Sequence, residues 1–203
     1  MAKAKRDLPV VAFKSQQAWD AWLTSQDARS KGLWLKLAKK SSGIASVSRP
    51  EAIDTALCHG WIDGQLDSFD DKYWLIRFTP RQPKSIWSEK NRARALQLVE
   101  LRRVQPAGLN EIERAKKDGR WNAAYAPQST AQVPDDLRAA LAKNKNAKSF
   151  FETLDSHNRY AILHRIHDAK KAETRMARIE KYVTMLIEGE TIYPLKPKPL
   201  KRT

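Results

Sequence analysis

The chain has 203 residues and carries 38 Lys and Arg against 23 Asp and Glu, a formal net charge of +15 at pH 7 that points to an anionic partner. A single cysteine, Cys58, excludes an internal disulfide and any C-x-x-C zinc or redox motif, as expected of a reducing, cytoplasmic setting. No run approaches the roughly 20 apolar residues that span a bilayer, so a membrane role would have to be peripheral.

Leu8 to Phe13 reads as a short strand or entry segment; Pro9 and the lack of a small-residue cleavage site argue against a secretory signal. Ser15 is placed to cap a helix over residues 15–28, with Ala18, Trp19, Trp22 and Leu23 on its apolar face. After Gly32, Leu33, Leu35 and Leu37 alternate with Trp34, Lys36 and Ala38 as in a strand with one buried face. Ser41 to Gly43 form a loop, and Pro50 opens a short helix that Gly60 ends. Trp61 to Ser68 and Tyr73 to Thr79 then predict an antiparallel hairpin turning through Phe69, Asp70 and Asp71.

Beyond Pro80 and Pro83 the pattern becomes helical, with an apolar stripe of Ile86, Ala95, Leu98, Val99 and Leu101 that Pro106 and Gly108 interrupt. A second helix covers Leu109 to Lys117, and residues 122–133 form a linker rich in Ala, Ser, Thr and Pro. Four helices follow, over Asp135 to Leu141, Lys148 to Leu154, Ser156 to Ala169 and Thr174 to Glu188, with Gly189 as the last C-cap. The expected fold class is α+β: an antiparallel sheet flanked by helices over residues 8–122, then a small all-helical module over 134–190 that docks on it. Residues 1–7 and 195–203 are basic tails, carrying Lys3, Lys5, Arg6 and Lys196, Lys198, Lys201, Arg202.

Long phrases of the chain, ALCHGWIDGQ (56–65), YWLIRFTPRQPKSIWSEKN (73–91), QPAGL (105–109), AKKDGRW (115–121), NRYAILHRI (158–166) and RIEKYVTMLIEGE (178–190), resemble the bacterial YdeI or OmpD-associated family, also called bacteriocin-protection proteins. The resemblance covers about Leu8 to Pro194. It implies a front domain of the YjbR/CyaY-like type, related in shape to frataxin, followed by a helical module, and a role in stress survival or bacteriocin protection.

The segment Lys72 to Arg94 holds seven Lys or Arg against one acid, Glu89. Trp61, Trp74, Trp87, Tyr73 and Phe78 interleave with those cations, a pattern suited to stacking on bases while the charges track phosphate. Strand alternation assigns Trp74 and Phe78 to the core and turns Arg77 toward a cleft. Thr79, Arg81, Ser85, Ser88 and Asn91 mark an anion site where a basic loop enters a helix; Ser85 and Ser88 also fit ordinary N-caps.

The candidate ligand-binding set is therefore Asp63, Gln65, Arg77, Arg81, Lys84, Trp87, Asn91, Arg92 and Arg94. The expected function is a non-catalytic binding protein for an anionic partner, DNA or RNA foremost. The alternative is a small enzyme acting on a phosphorylated molecule between the WIDGQ and RFTPR segments, with Asp63 as general base and Arg77 and Arg81 holding the substrate. Peripheral contact of the tails with an anionic membrane is a third reading. Neither metal nor cofactor is expected: Asp63, Asp67, Asp70 and Asp71 sit beside a basic segment, with Asp70 and Asp71 suited to a turn, and His157, His164 and His167 have no evident distant third ligand. Cys58 beside His59 is read as a small core residue.

Overall fold

The computed structural model describes residues 7–27 and 29–195, which leaves most of both basic tails outside the described residues. The chain divides between Ala124 and Tyr125 into two compact units. The front unit is built on a sheet of four strands, β1 (Val10–Ala12), β2 (Leu33–Ala38), β3 (Trp61–Ser68) and β4 (Tyr73–Pro80), in spatial order β1-β2-β4-β3.

The sheet is mixed, which corrects the expectation of an all-antiparallel one: β1 pairs parallel with β2, and the other two pairings are antiparallel. The reason lies in the connection. A helix, α1 (Gln16–Thr24), links β1 to β2, and a helical crossover returns the chain in the same direction. Ser15 caps α1 as its sequence position implies, but the helix ends at Thr24. There the Ser25 hydroxyl and the Gln26 amide donate to the Trp22 carbonyl and close the last turn.

The second helix, α2 (Arg49–Cys58), starts in a capping box between Ser48 and Glu51 and stops before Gly60, whose φ of +74° lies in the left-handed region. Together α1 and α2 bury Trp19, Leu23, Ala52 and Ala56 against Leu35, Ile76 and Phe78 of the sheet. Burial of side chains of this size is the main stabilising term, about 1.5–3 kcal/mol each. The opposite sheet face is also covered in part: Trp34 is buried with Leu8 and Leu75, so β2 does not have the single buried face its alternation implies.

Two further helices, α3 (Glu89–Glu100) and α4 (Pro106–Lys117), complete the front unit. Leu57, Cys58, Trp87, Ala95, Leu98, Ile112 and Trp121 form their shared core with α2. Pro106 opens α4 instead of breaking the preceding helix, because its fixed φ and missing N–H suit a first helical position. Val99 and Leu101 are exposed, and Ile86 precedes α3, so only Ala95 and Leu98 of the predicted stripe face the core of this helix.

The second unit has four helices, α5 (Asp135–Ala142), α6 (Lys145–Thr153), α7 (Ser156–His167) and α8 (Ala172–Ile187). It has a core of its own, in which Leu137, Phe151, Ile162, Ile166, Ile179 and Leu186 cluster. These helices therefore pack on one another around apolar side chains of their own. Asn158, fully buried, ties the end of the unit to α7 by accepting from the Tyr193 N–H at 2.9 Å and donating to its carbonyl at 3.1 Å.

Candidate functional site

The arginines of the Lys72–Arg94 segment have internal partners. Arg94 is paired with Asp54 of α2, its Nε donating to Oδ1 at 2.7 Å. Arg92 donates to the Trp121 carbonyl at 3.0 Å, and Arg77 reaches Asp7 at 3.3 Å. Arg81 is only 5 % exposed; its guanidinium lies 3.5 Å over the Trp87 ring and donates to the Ile86 carbonyl at 3.2 Å.

Trp87 is itself 2 % exposed and packs edge-on against Trp121, with ring centroids 4.8 Å apart. The expectation that it offers a stacking face is corrected: the interleaved aromatic and basic residues form a cation–π core contact. Lys72, Lys84 and Lys90 are exposed.

The polar set does not converge either. Asp63 accepts from the Asn91 amide at 3.4 Å, and Gln65 is exposed within the irregular stretch of β3 between Asp63 and Leu66. Arg77 is paired in register with Trp34, on the sheet face away from α1 and α2. Ser88 caps α3 by accepting from the Asn91 N–H, and the Ser85 hydroxyl accepts from the Gln82 N–H. Asp70 is a turn residue whose carboxylate accepts from the Lys72 and Tyr73 N–H groups.

Two clefts of the front unit lie elsewhere, at the start of α4. One cleft, about 430 Å³, is lined by Gln16, Gln17 and Asp20 of α1, by Thr55 and Cys58 of α2, and by Arg102, Arg103 and Gln105 from the α3–α4 corner. A second, about 460 Å³, runs between the end of α1, Gly60 and Trp61, the Pro80–Pro83 loop, and Pro106, Ala107, Glu111 and Arg114 of α4, with Gln105 again in its wall. His59 lines the second cleft and Asp20 the first, and their side chains are joined by a 2.9 Å hydrogen bond.

Local sequence explains this corner. Arg102 has a φ of +54°, unusual for a residue with a Cβ, and it turns the chain between α3 and α4. The Gln105 N–H donates to the Cys58 carbonyl at 2.9 Å. A Cβ on Gly108 would come within 2.3 Å of the same oxygen, so only glycine lets α4 approach the end of α2 this closely. Gln105 makes no side-chain cap, leaving the first N–H groups of α4 without one.

The two clefts differ in charge. Arg102 and Arg103 are exposed and form no ion pair among the described residues. In the second cleft Arg114 is paired with Glu111, whose side chain is only 17 % exposed. Burial pushes the Glu111 carboxyl above the usual carboxylate range, while Arg114, Arg81 and Arg120 pull it back. Burial also pushes the Cys58 thiol up, away from the thiolate form that a nucleophile needs. Arg102, Arg103, Gln105, Glu111 and Arg114 were missed by sequence reasoning; the signal for the first three was the run RRVQP, two cations separated by two residues from a helix-starting proline.

In the helical unit a smaller cavity, about 100 Å³, is lined by Tyr125, Gln132, Tyr160, His164, His167 and Arg175 among others. His164 packs edge-on against Tyr125 at 4.8 Å between centroids, and burial lowers its pKa. His157 stacks on Tyr193 instead. Among the described residues no group of three or more His, Cys, Asp or Glu is placed to hold a metal ion, and no helix is long and apolar enough to cross a membrane.

The front unit is thus an α+β domain with a polar groove, and the back unit a separate helical module. Residues 11–111 match a domain of unknown function (DUF8412). Residues 130–189 match the family described as bacteriocin-protection, YdeI or OmpD-associated, so the helical unit carries that likeness. No curated protein and no solved structure matches the chain.

Proposed function

We propose that the front unit binds a small anionic ligand in the cleft formed by Gln16, Gln17, Arg102, Arg103 and Gln105, in the service of the bacteriocin-protection role that the family of the helical unit names. One observation carries this reading: Arg102 and Arg103 face a concave polar surface without ion-pair partners among the described residues, whereas Arg77, Arg92 and Arg94 are engaged within the fold. Two guanidinium groups beside amide donors suit the charge and hydrogen-bonding needs of a phosphate or carboxylate. The carboxylate of Asp20 shares this cleft and is held by His59.

This is a reading as a binding protein. The alternative enzyme needs Asp63 in a concave pocket beside arginines, and Asp63 lines neither cleft. Nucleic acid stays as a second ligand class, supported by the +15 charge and the exposed Lys72, Lys84 and Lys90, through phosphate contact and not through stacking on Trp87. For the front fold we also infer a YjbR/CyaY-like domain, supported by a sheet with α1 and α2 packed on one face.

Titration calorimetry with inorganic phosphate and pyrophosphate tests the main reading. The Arg102→Ala, Arg103→Ala double variant should lose at least about tenfold in affinity, since a charge-assisted hydrogen bond contributes roughly 1.5–3 kcal/mol. Equal affinity in the variant and the parent would remove the cleft as the anion site.

A further inference from the structure

The second cleft has the wrong charge for another phosphate and the right groups for something else. Its two arginines are already engaged, Arg81 with Trp87 and the Ile86 carbonyl, Arg114 with Glu111. Asp27 adds a carboxylate, itself tied to Arg29. A second anionic group placed here would meet Glu111 and Asp27 with no uncommitted arginine to offset them. Gln26 and His59 are likewise engaged, Gln26 with Trp22, Ser25 and Ser30 and His59 with Asp20. What remains are the side-chain amides of Gln82 and Gln105, the accepting lone pairs of the Thr24 hydroxyl, whose proton goes to the Asp20 carbonyl, and those of the Glu111 carboxylate.

Those groups can exchange hydrogen bonds with hydroxyls, because the amides donate and accept, and the Thr24 oxygen and the carboxylate accept. Pro80, Pro83 and Pro106 supply flat apolar wall between them. Aromatic surface for a base is scarce: of the two aromatic rings in the lining, Trp61 is only 4 % exposed and the His59 side chain 8 %. The cleft therefore favours a hydroxylated aliphatic ring over a planar base. Each cleft has the size of a small-molecule site, and the two are neighbours: Gln105 is in both linings, and the 2.9 Å His59–Asp20 hydrogen bond joins one lining to the other.

We propose that the groove is a site for a monophosphorylated polyol, a sugar phosphate, whose phosphate lies on Arg102 and Arg103 and whose hydroxylated body lies between Thr24, Gln82 and Glu111. This rests on the anion reading of the arginine cleft and adds the identity of the body. Glu111 and Asp27 make the site selective for one anionic group over two.

The test is a titration of the full chain with inorganic phosphate, glucose 6-phosphate, ribose 5-phosphate, fructose 1,6-bisphosphate and adenosine monophosphate. At least one of the two sugar monophosphates should bind about tenfold or more tightly than phosphate, the equivalent of two or three added hydrogen bonds. The bisphosphate should gain nothing over that monophosphate. Thr24→Val, which also removes the hydroxyl's bond to the Asp20 carbonyl, and Gln82→Ala should both reduce the sugar advantage, and Gln82→Ala should leave phosphate affinity unchanged.

Sugar monophosphates binding no better than phosphate, an advantage untouched by both variants, or adenosine monophosphate binding tightest would each overturn the proposal. If inorganic phosphate and every other probe fail to bind, the anion reading falls as well, and the proposal falls with it.

Discussion

Gly108→Ala sets two effects of known size against each other. In a helix interior the change from Gly to Ala stabilises by about 1 kcal/mol, because alanine loses less conformational freedom on folding. At this position, however, the new Cβ would lie 2.3 Å from the Cys58 carbonyl oxygen and 2.7 Å from a Val104 methyl. Non-bonded carbon contacts are comfortable only near about 3.5 Å, so α4 would have to retreat by on the order of 1 Å. That movement stretches the 2.9 Å bond from the Gln105 N–H to the same carbonyl, a loss of about 0.5–1.5 kcal/mol. Overpacking adds about 1–3 kcal/mol. The steric side wins, and the variant should be destabilised by about 1–3 kcal/mol in urea unfolding. Gln105 belongs to both cleft walls, so phosphate affinity should fall as well. A variant about 1 kcal/mol more stable than the parent would refute the close packing of α4 on α2.

Three other outcomes follow from the same geometry. Arg94→Ala should cost about 1–3 kcal/mol, since it leaves the Asp54 side chain, 15 % exposed, without its cation, whereas Lys72→Ala at the surface should stay within about 0.5 kcal/mol by the same melts. Burial lowers the His164 pKa in the folded state, so its contribution to stability is present above the unfolded histidine pKa, near 6.5, and is lost as pH falls through the lower folded value. The melting temperature of the helical unit should drop between roughly pH 7 and 5, and His164→Phe should flatten that drop; an unchanged profile would assign the acid sensitivity to another group. If nucleic acid is bound, changing Lys72, Lys84 and Lys90 to Ala should reduce the salt slope of binding by about two to three, and a slope that stays put would exclude those lysines from phosphate contact.

Much of the architecture was legible in local patterns. Ser15 marked a helix start, Pro50 and Gly60 bracketed α2, and the alternating run through Tyr73–Pro80 marked β4, one of the two inner strands. Signals with two meanings were harder: Pro106 reads as a break until its place at the first turn of α4 is known. The parallel pairing of β1 and β2 depended on α1 being a crossover and not a bend. The site was the least legible part because charge counting does not show distant partners. Arg94 meets Asp54 from 40 residues away and Arg92 meets the Trp121 carbonyl from 29 away, so a segment that looks like a free basic track has its arginines partnered within the fold and, of its cations, only the lysines exposed. Arg102 and Arg103 look like an ordinary solvated pair until the fold brings α1 and α2 beside them.

The location of anion binding is read most directly by mapping amide chemical shifts while inorganic phosphate is titrated into the full chain. Binding at the α3–α4 corner puts the largest shifts at residues 102–105 and 107 and at residues 16–21, with Thr55 and Cys58 between them. Shifts concentrated instead on residues 72–94, with the α3–α4 corner silent, would contradict it and return the anion site to the basic hairpin.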